Sequence, residues 1–191
     1  MKLTSGVCRS KKRLDGKTVI VTGVNTGIGK ETARDLAERG AKVILACRNL
    51  EKGKKACDDI IASTGNAIVE VQHLDLSSLA SVRKFALNII NTEPRLDVLI
   101  NNAGATRVKQ KITEDGLLLG MQVNHFGPFL LTCLLTAMAY PGFFFRGGGQ
   151  QIQLRTEDRE KGIWGRSPLV RGSGGSCNLV KEISFHIVKF S

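Results

Sequence analysis

The segment TGVNTGIG at residues 22–29 constrains the fold of this chain more than any other feature. It follows residues 17–22, a short β-branched run typical of a buried parallel strand, and precedes residues 30–39, which have helical composition. Its glycines permit a tight turn, a close approach of backbone to a pyrophosphate, and close packing of helix on sheet. The N-terminus of the helix then presents N–H groups to phosphate oxygens. The segment therefore predicts a dinucleotide-binding loop, whose candidate residues are Gly23, Val24, Asn25, Thr26, Gly27, Ile28 and Gly29.

Strand and helix patterns alternate on both sides of this loop. Further strands are predicted at residues 42–46, 67–73 and 97–101, and further helices at residues 50–63, 78–91 and 113–137. In the last helix we expect Glu114 and Asp115 in the first turn. Such alternation predicts an α/β fold, a Rossmann-type doubly wound parallel sheet.

The alternation stops after Tyr140. Nine of the 21 glycines lie between Gly142 and Gly175, as in loop or disordered chain, and residues 178–189 could form a strand or a short helix. We therefore predict a basic arm at residues 1–13, a Rossmann domain truncated after about four strands at 14–138, and an irregular Gly-rich tail at 139–191. Residues 97–101 would then form an exposed edge strand, which could pair with another chain.

Composition excludes several classes of protein. The net charge of +11 is scattered, and without zinc-finger spacing or an RNP-type aromatic pattern we expect a solvated surface and no nucleic-acid partner. The three histidines are far apart in sequence, so no metal site is expected. The five cysteines form no CxxC pair, which is typical of reduced thiols. With no secretory signal and no transmembrane anchor in this chain, we expect a cytoplasmic protein.

Family motifs follow the glycine loop in order. The GxxxGxG spacing resembles the cofactor motif of the short-chain dehydrogenase/reductase family. Asp75-Leu76 resembles the family's adenine-contacting position, and Asn102-Ala103-Gly104, in the sequence NNAG, resembles the segment that lines the nicotinamide side. Asn124 matches the family's active-site asparagine. The resemblance implies an oxidoreductase fold over about residues 6–136, with an unrelated C-terminal tail.

The resemblance narrows to the retinol dehydrogenase branch, through NTGIGKETA, LACRNLEKG and LDLSSLASVR. Members of that branch reduce retinal and related aldehydes with NADPH, usually at the endoplasmic reticulum membrane, so a retinoid or another small aldehyde or alcohol is the implied substrate. Cofactor choice also follows from the residues: where an NAD enzyme carries Asp or Glu, this chain has Arg48, whose guanidinium suits a 2′-phosphate. We therefore predict NADP(H).

The family's catalytic serine and Tyr-x-x-x-Lys motif have no identifiable counterpart in this sequence. The one tyrosine, Tyr140, is followed by Phe144 at the lysine position and comes directly after the predicted helix. Of the catalytic set only Asn124 is identifiable, so we expect negligible turnover. The alternatives are a non-catalytic NADP(H)-binding or interaction module, which could pair with full-length relatives, and a non-functional truncated product.

Overall fold

A central sheet organises the part of the chain that the computed structural model describes, residues 10–106, 110–139 and 186–189. Its strands are, in chain order, β1 (Thr18–Thr22), β2 (Lys42–Cys47), β3 (Val69–His73), β4 (Val98–Asn101) and β5 (His186–Lys189). Their order in the sheet is β3-β2-β1-β4-β5, with the first four parallel. The chain leads from β1 to β2 and β3 on one side and then crosses to β4 on the other side of β1. This change in the order of the strands places the topological switch point between β1 and β4, where doubly wound sheets bind ligands.

Helices connect the parallel strands. They are α1 (Gly27–Glu38), α2 (Leu50–Thr64) and α3 (Leu79–Thr92), followed by α4 (Leu119–Met121), a π-helical turn (Gln122–Phe126) and α5 (Gly127–Ala139), which continue one another. Side chains cap two of them: Asn49 accepts a hydrogen bond from the Lys52 N–H at the start of α2, and Ser78 accepts one from Ser81 N–H at the start of α3. The Rossmann architecture predicted from the sequence is confirmed.

The sheet has a buried core on each face. On one face, Val19, Val21 and Val43 pack with residues of α1 and α2, including Ala33 and Ile60. On the other face, a set from β1, β2 and β4 packs with α3 and α5: Ile20, Ile44, Leu99, Phe85, Ile89, Leu131 and Leu135. Because both faces are covered, β1 and β2 consist of nearly continuous buried runs, as expected of parallel strands.

The predicted helix over residues 113–137 is wrong at its start. Helix begins at Leu119, because a short turn with Gly116 at φ 75° and a bridge between Ile112 and Leu118 precedes it. Asp115 is therefore outside the helix. Its carboxylate instead accepts a hydrogen bond of 2.9 Å from Leu79 N–H, at the N-terminus of α3.

The expectation of an exposed edge at β4 is also wrong. β5, from the C-terminal part of the chain, pairs antiparallel with β4 along all four of its residues, from Asn101↔His186 to Val98↔Lys189. The sequence had left residues 178–189 undecided between strand and helix. The pairing satisfies backbone groups of β4 that would otherwise face outwards.

Candidate cofactor-binding site

The glycine loop between β1 and α1 is held against the end of β4 by Asn102. The Nδ2 group of Asn102 donates hydrogen bonds to the carbonyls of Thr22 (2.8 Å) and Gly23 (3.0 Å). A Cβ at Gly29 would lie 2.3 Å from that same Nδ2 and 2.5 Å from the Gly23 oxygen. Gly29 thus permits the first turn of α1 to pack against the loop and Asn102, in agreement with the close packing predicted for this glycine.

Gly23 makes the turn out of β1. Its φ is 71°, and a Cβ there would meet Ala103 Cα at 2.7 Å, so only glycine fits both the conformation and the space. Thr22 Oγ1 accepts a hydrogen bond of 3.0 Å from Ala103 N–H. Sequence reasoning did not assign this anchoring role to Thr22, although the threonine stands at the head of the glycine motif.

The middle of the loop is open. Gly27 has φ 65°, and a Cβ at this position would meet nothing within 4 Å. Thr26, Gly27 and Ile28 are exposed, whereas the Val24 side chain is fully buried in the α1–α2 core. A phosphate group can therefore reach the backbone around Gly27, and Val24 can contribute only backbone atoms.

Asn25 supplies a test of whether a nucleotide fits here. Its Oδ1 atom is buried and has no hydrogen-bond partner. Buried polar atoms in proteins are nearly always paired, so an unpaired acceptor beside a glycine-lined opening suits a ligand that brings a donor, such as a ribose hydroxyl. The residues present fit a dinucleotide.

Arg48 lies beyond the end of β2, on the same edge of the sheet as the loop. The Gly23 N–H donates to the Ala46 carbonyl at 3.0 Å, which holds the loop against this strand two residues before Arg48. Arg48 is exposed and makes no hydrogen bond or ion pair with the described residues. Its guanidinium is thus available to a phosphate, which it can bind through paired N–H donors.

Asp75 and Leu76 follow β3 at this edge. Asp75 is half-buried, and its Oδ1 atom accepts hydrogen bonds from the Ser77 N–H (2.9 Å) and Ser77 hydroxyl (2.6 Å). Leu76 is buried, and its carbonyl oxygen lies 2.8 Å from where a Cβ on Gly127 would stand. Gly127 therefore allows the start of α5 to approach the loop after β3.

Asn124 lies in the π-helical turn and is bound to the segment after β4. Its Oδ1 accepts from Ala105 N–H at 2.7 Å, and its Nδ2 donates to the Ala105 carbonyl at 3.0 Å. Gly104 is adjacent, since a Cβ there would be 3.6 Å from Asn124 Oδ1. The structure thus brings Asn124 together with the Asn102–Gly104 segment, as the motifs imply.

A buried polar network supports this turn. Gln122, which is fully buried, donates from Nε2 to Asp115 Oδ2 at 2.6 Å, and its Oε1 accepts from the Thr113 hydroxyl. Asp115 also bonds α3 through Leu79 N–H. Sequence reasoning missed Gln122, because a polar residue within an apolar helix gives no sign of which partner it meets.

The described residues contain neither a cluster of metal ligands nor a membrane-spanning helix. No group of three or more His, Cys, Asp or Glu side chains among them could hold a metal ion. None of the helices searched in residues 10–106 and 110–139 is long and apolar enough to span a membrane. Tyr140 and the serines at 167, 173 and 176 lie outside the described residues.

Comparison with known proteins identifies the family. Residues 17–152 match the family model described as short chain dehydrogenase. This chain belongs to that family. The match extends past residue 138, so the domain boundary drawn from the sequence stays a prediction.

Several of the curated relatives that match are retinol dehydrogenases. Retinol dehydrogenase 13 of Homo sapiens is 56% identical over 133 residues, which cover 70% of this chain and 40% of that protein. Retinol dehydrogenase 12 of Bos taurus is 52% identical over 130 residues, 68% of this chain and 41% of that protein. The predicted branch is confirmed, and the chain spans about two fifths of the length of these relatives.

Solved structures of the same family have a similar fold. A short chain dehydrogenase from Escherichia coli CFT073 complexed with NADPH is 31% identical with a TM-score of 0.58, covering 68% of this chain and 56% of that one. A short chain dehydrogenase from Shigella flexneri 2a complexed with NADP is 30% identical with a TM-score of 0.57 and the same coverages, 68% and 56%. Both neighbours hold the phosphorylated cofactor.

Proposed function

We propose that this chain binds NADP(H) through the site at the end of β1, β2 and β4, and that it prefers NADPH to NADH. The observation that carries the proposal is the glycine loop held open by Asn102, with its two hydrogen bonds to the carbonyls of Thr22 and Gly23. This contact fixes the loop in a shape that exposes backbone near Gly27 to an anion. The NADPH and NADP bound in structural neighbours support the same cofactor.

The preference for NADPH is argued from Arg48. NADPH and NADH differ by one 2′-phosphate. Arg48, a cation at the end of β2 that pairs with none of the described residues, favours the phosphorylated form. An acidic side chain at that position would repel it.

By family, the reaction is the interconversion of an alcohol and an aldehyde or ketone. A bound nicotinamide supplies or accepts the hydride. The names of the matched relatives point to retinol or retinal as the substrate class. Of this chain's residues, Asn124 stands at the family's active-site position, where its bonds with Ala105 fix its orientation.

We propose that turnover by this chain is negligible, because no proton donor of the Tyr-x-x-x-Lys type is identifiable in its sequence. A missing catalytic acid typically costs a factor of about 10²–10⁴ in rate. The chain would then act as a non-catalytic NADP(H)-binding module. Pairing with a full-length relative would have to use a surface other than β4, which β5 already covers.

The experiment that tests the proposal is a titration of NADPH into the purified chain, followed by nicotinamide fluorescence, with NADH as the comparison. Saturable binding that favours NADPH supports it, and no binding to either cofactor overturns it. A Gly23→Asp variant serves as the control, because a side chain there collides with Ala103 Cα. Retinal reduction above the level of that variant would contradict the proposed lack of turnover.

A further inference from the structure

The π-helical turn between α4 and α5 is fixed at both of its ends. At its first residue, the fully buried side chain of Gln122 donates to Asp115 Oδ2 at 2.6 Å and accepts from the Thr113 hydroxyl. At its far end, the Gly127 N–H donates to the Gln122 carbonyl, and a Cβ at Gly127 would lie 2.8 Å from the Leu76 carbonyl oxygen. Single π-helical turns inside α-helices are rare and are found mostly at functional sites. The contacts at both ends therefore hold the chain in a shape that a regular α-helix does not have.

Asp115 joins three segments of the chain through one oxygen atom. Its Oδ2 accepts the hydrogen bond from Gln122 and a second one, of 2.9 Å, from the Leu79 N–H at the start of α3. Asp115 itself lies in the short turn that precedes α4. Because Gln122 has no access to water, its amide would be left without a partner if Asp115 were lost, and buried polar groups in that state are costly. The π-helical turn would have to move for that amide to find another partner.

The same turn carries Asn124. Its side chain binds both the N–H and the carbonyl of Ala105, at 2.7 Å and 3.0 Å. Two residues before Ala105, the N–H of Ala103 donates to Thr22 Oγ1 at the head of the glycine loop. A continuous path of hydrogen bonds and short backbone steps thus leads from Asp115, through the π-helical turn, to the segment after β4 and the glycine loop.

We propose that Gln122 and Asp115 are positioning residues for the nicotinamide end of the cofactor site. They hold the π-helical turn, the turn orients Asn124, and Asn124 fixes the backbone from Asn102 to Ala105. This inference rests on the proposed NADP(H) binding, in which that segment lines the nicotinamide side. Neither Gln122 nor Asp115 acts on the cofactor directly, because each side chain is already engaged by the other.

The test uses two ligands that separate the ends of the cofactor. NADPH reaches the nicotinamide end, whereas 2′,5′-ADP contains only the phosphorylated adenosine end, so the ratio of their affinities reports on the segment after β4. Gln122→Met removes both side-chain hydrogen bonds and keeps the length of the side chain. Gln72→Met is the matched control, because the Gln72 side chain also donates one hydrogen bond, to Glu70, and accepts one, from Asn88, but binds no residue of the turn.

We expect Gln122→Met to weaken NADPH by about 10-fold on the full chain, as for the loss of one or two hydrogen bonds at the nicotinamide end, and to leave 2′,5′-ADP unchanged. Gln72→Met should change neither affinity. A role in folding alone would weaken both ligands together or neither of them. Either of those outcomes, or an equal change of the affinity ratio in Gln72→Met, would overturn the inference.

Variants of Asp115 provide a second test, which does not depend on the stability of Gln122→Met. Asp115→Asn keeps an acceptor oxygen for Gln122 and Leu79 and should bind NADPH like the unchanged chain. Asp115→Leu has a similar size and no acceptor, so it should weaken NADPH by about 10-fold and spare 2′,5′-ADP. Equal NADPH affinities of these two variants would overturn the inference.

The double variant Gln122→Met/Asp115→Leu tests whether the two residues act through one shared contact. Losses of a shared contact do not add, so we expect about 10-fold weakening of NADPH again, whereas independent roles would give about 100-fold. Additive losses would overturn the inference, and NADPH binding by the unchanged chain would still uphold the proposed function. No binding of NADPH by the unchanged chain would overturn both.

Discussion

Alanine variants of Gly27 and Gly65 distinguish a loss of folding stability from a loss of NADPH affinity. Gly27 has φ 65° and Gly65 has φ 68°, and a Cβ at either position would meet no atom within 4 Å. Gly27 begins α1 in the proposed phosphate-binding loop, whereas Gly65 ends α2. Alanine at each position therefore imposes the same backbone strain, and only one of the two methyl groups would face a ligand.

The magnitudes follow from these two facts. A left-handed conformation costs an L-residue about 1 kcal/mol relative to glycine, so both variants should lose about 1 kcal/mol in the free energy of unfolding. That corresponds to about 3–6 °C in Tm for a domain of this size. At Gly27 the methyl also occupies the space of the phosphate, and such overpacking costs about 2 kcal/mol, or about 30-fold in NADPH affinity.

The assay is a thermal melt of each variant without cofactor, followed by an NADPH titration monitored by fluorescence. Matching losses of Tm with a loss of affinity at Gly27→Ala alone would support a phosphate at this backbone. The reasoning is refuted if Gly65→Ala weakens NADPH binding to the same extent, or if Gly27→Ala binds NADPH like the unchanged chain.

Three further changes test other parts of the structure. Gly29→Ala should lower the free energy of unfolding by about 3 kcal/mol in chemical denaturation, because the methyl displaces Asn102 from its two hydrogen bonds; an unchanged midpoint would contradict the packing. Burial alone would raise the pKa of Asp97, but hydrogen bonds from Lys17 and Thr18, with Arg95 nearby, lower it below its ordinary 3.8. The stabilisation of the fold by the Asp97 carboxylate is therefore present above pH 3.8 and is lost as the pH falls through the lower pKa of the folded state. Asp97→Asn should lower the free energy of unfolding by about 1–2 kcal/mol at pH 7 and should remove this dependence on acid. Chemical denaturation of both proteins at pH 7 and below pH 3.8 measures the difference. Ile187→Pro should break the β4–β5 pairing and promote self-association in size-exclusion chromatography, and a strictly monomeric variant would argue against edge protection by β5.

Most of the fold could be predicted from the sequence, because buried parallel strands and amphipathic helices have local signatures. β1 and β2 differ from their predicted bounds by one residue at one end, and the Ser78 cap marks the start of α3. The helix after β4 could not be located in this way. An acidic residue such as Asp115 is typical of the first turn of a helix, and its carboxylate does lie at a helix N-terminus. That helix is α3, however, because the carboxylate binds the N–H of Leu79, 36 residues earlier in the chain. A tertiary contact decided the role of that carboxylate.

The residues of the site also differ in whether local sequence or tertiary packing determines their roles. Roles for Gly23 and Gly29 follow from the motif, since they depend on the strand and helix directly beside them. Lys52 and Lys55 line a cavity between α1 and α2 beside the glycine loop, and Lys54 does not. This difference could not be predicted from the sequence, because all three are exposed charges on one helix. Only the packing of α1 against α2 determines which of them faces the loop.

Binding and turnover are separable properties of this molecule for a structural reason. The contacts that shape the proposed cofactor site join residues between Thr22 and Asn124, and strands covered by a core on each face hold them in place. None of these contacts depends on a proton donor, whereas reduction of a carbonyl requires one as well as the hydride. A chain that binds NADPH tightly and reduces no retinal would therefore be fully consistent with this site. Cofactor affinity, not activity, is the quantity by which the site should be judged.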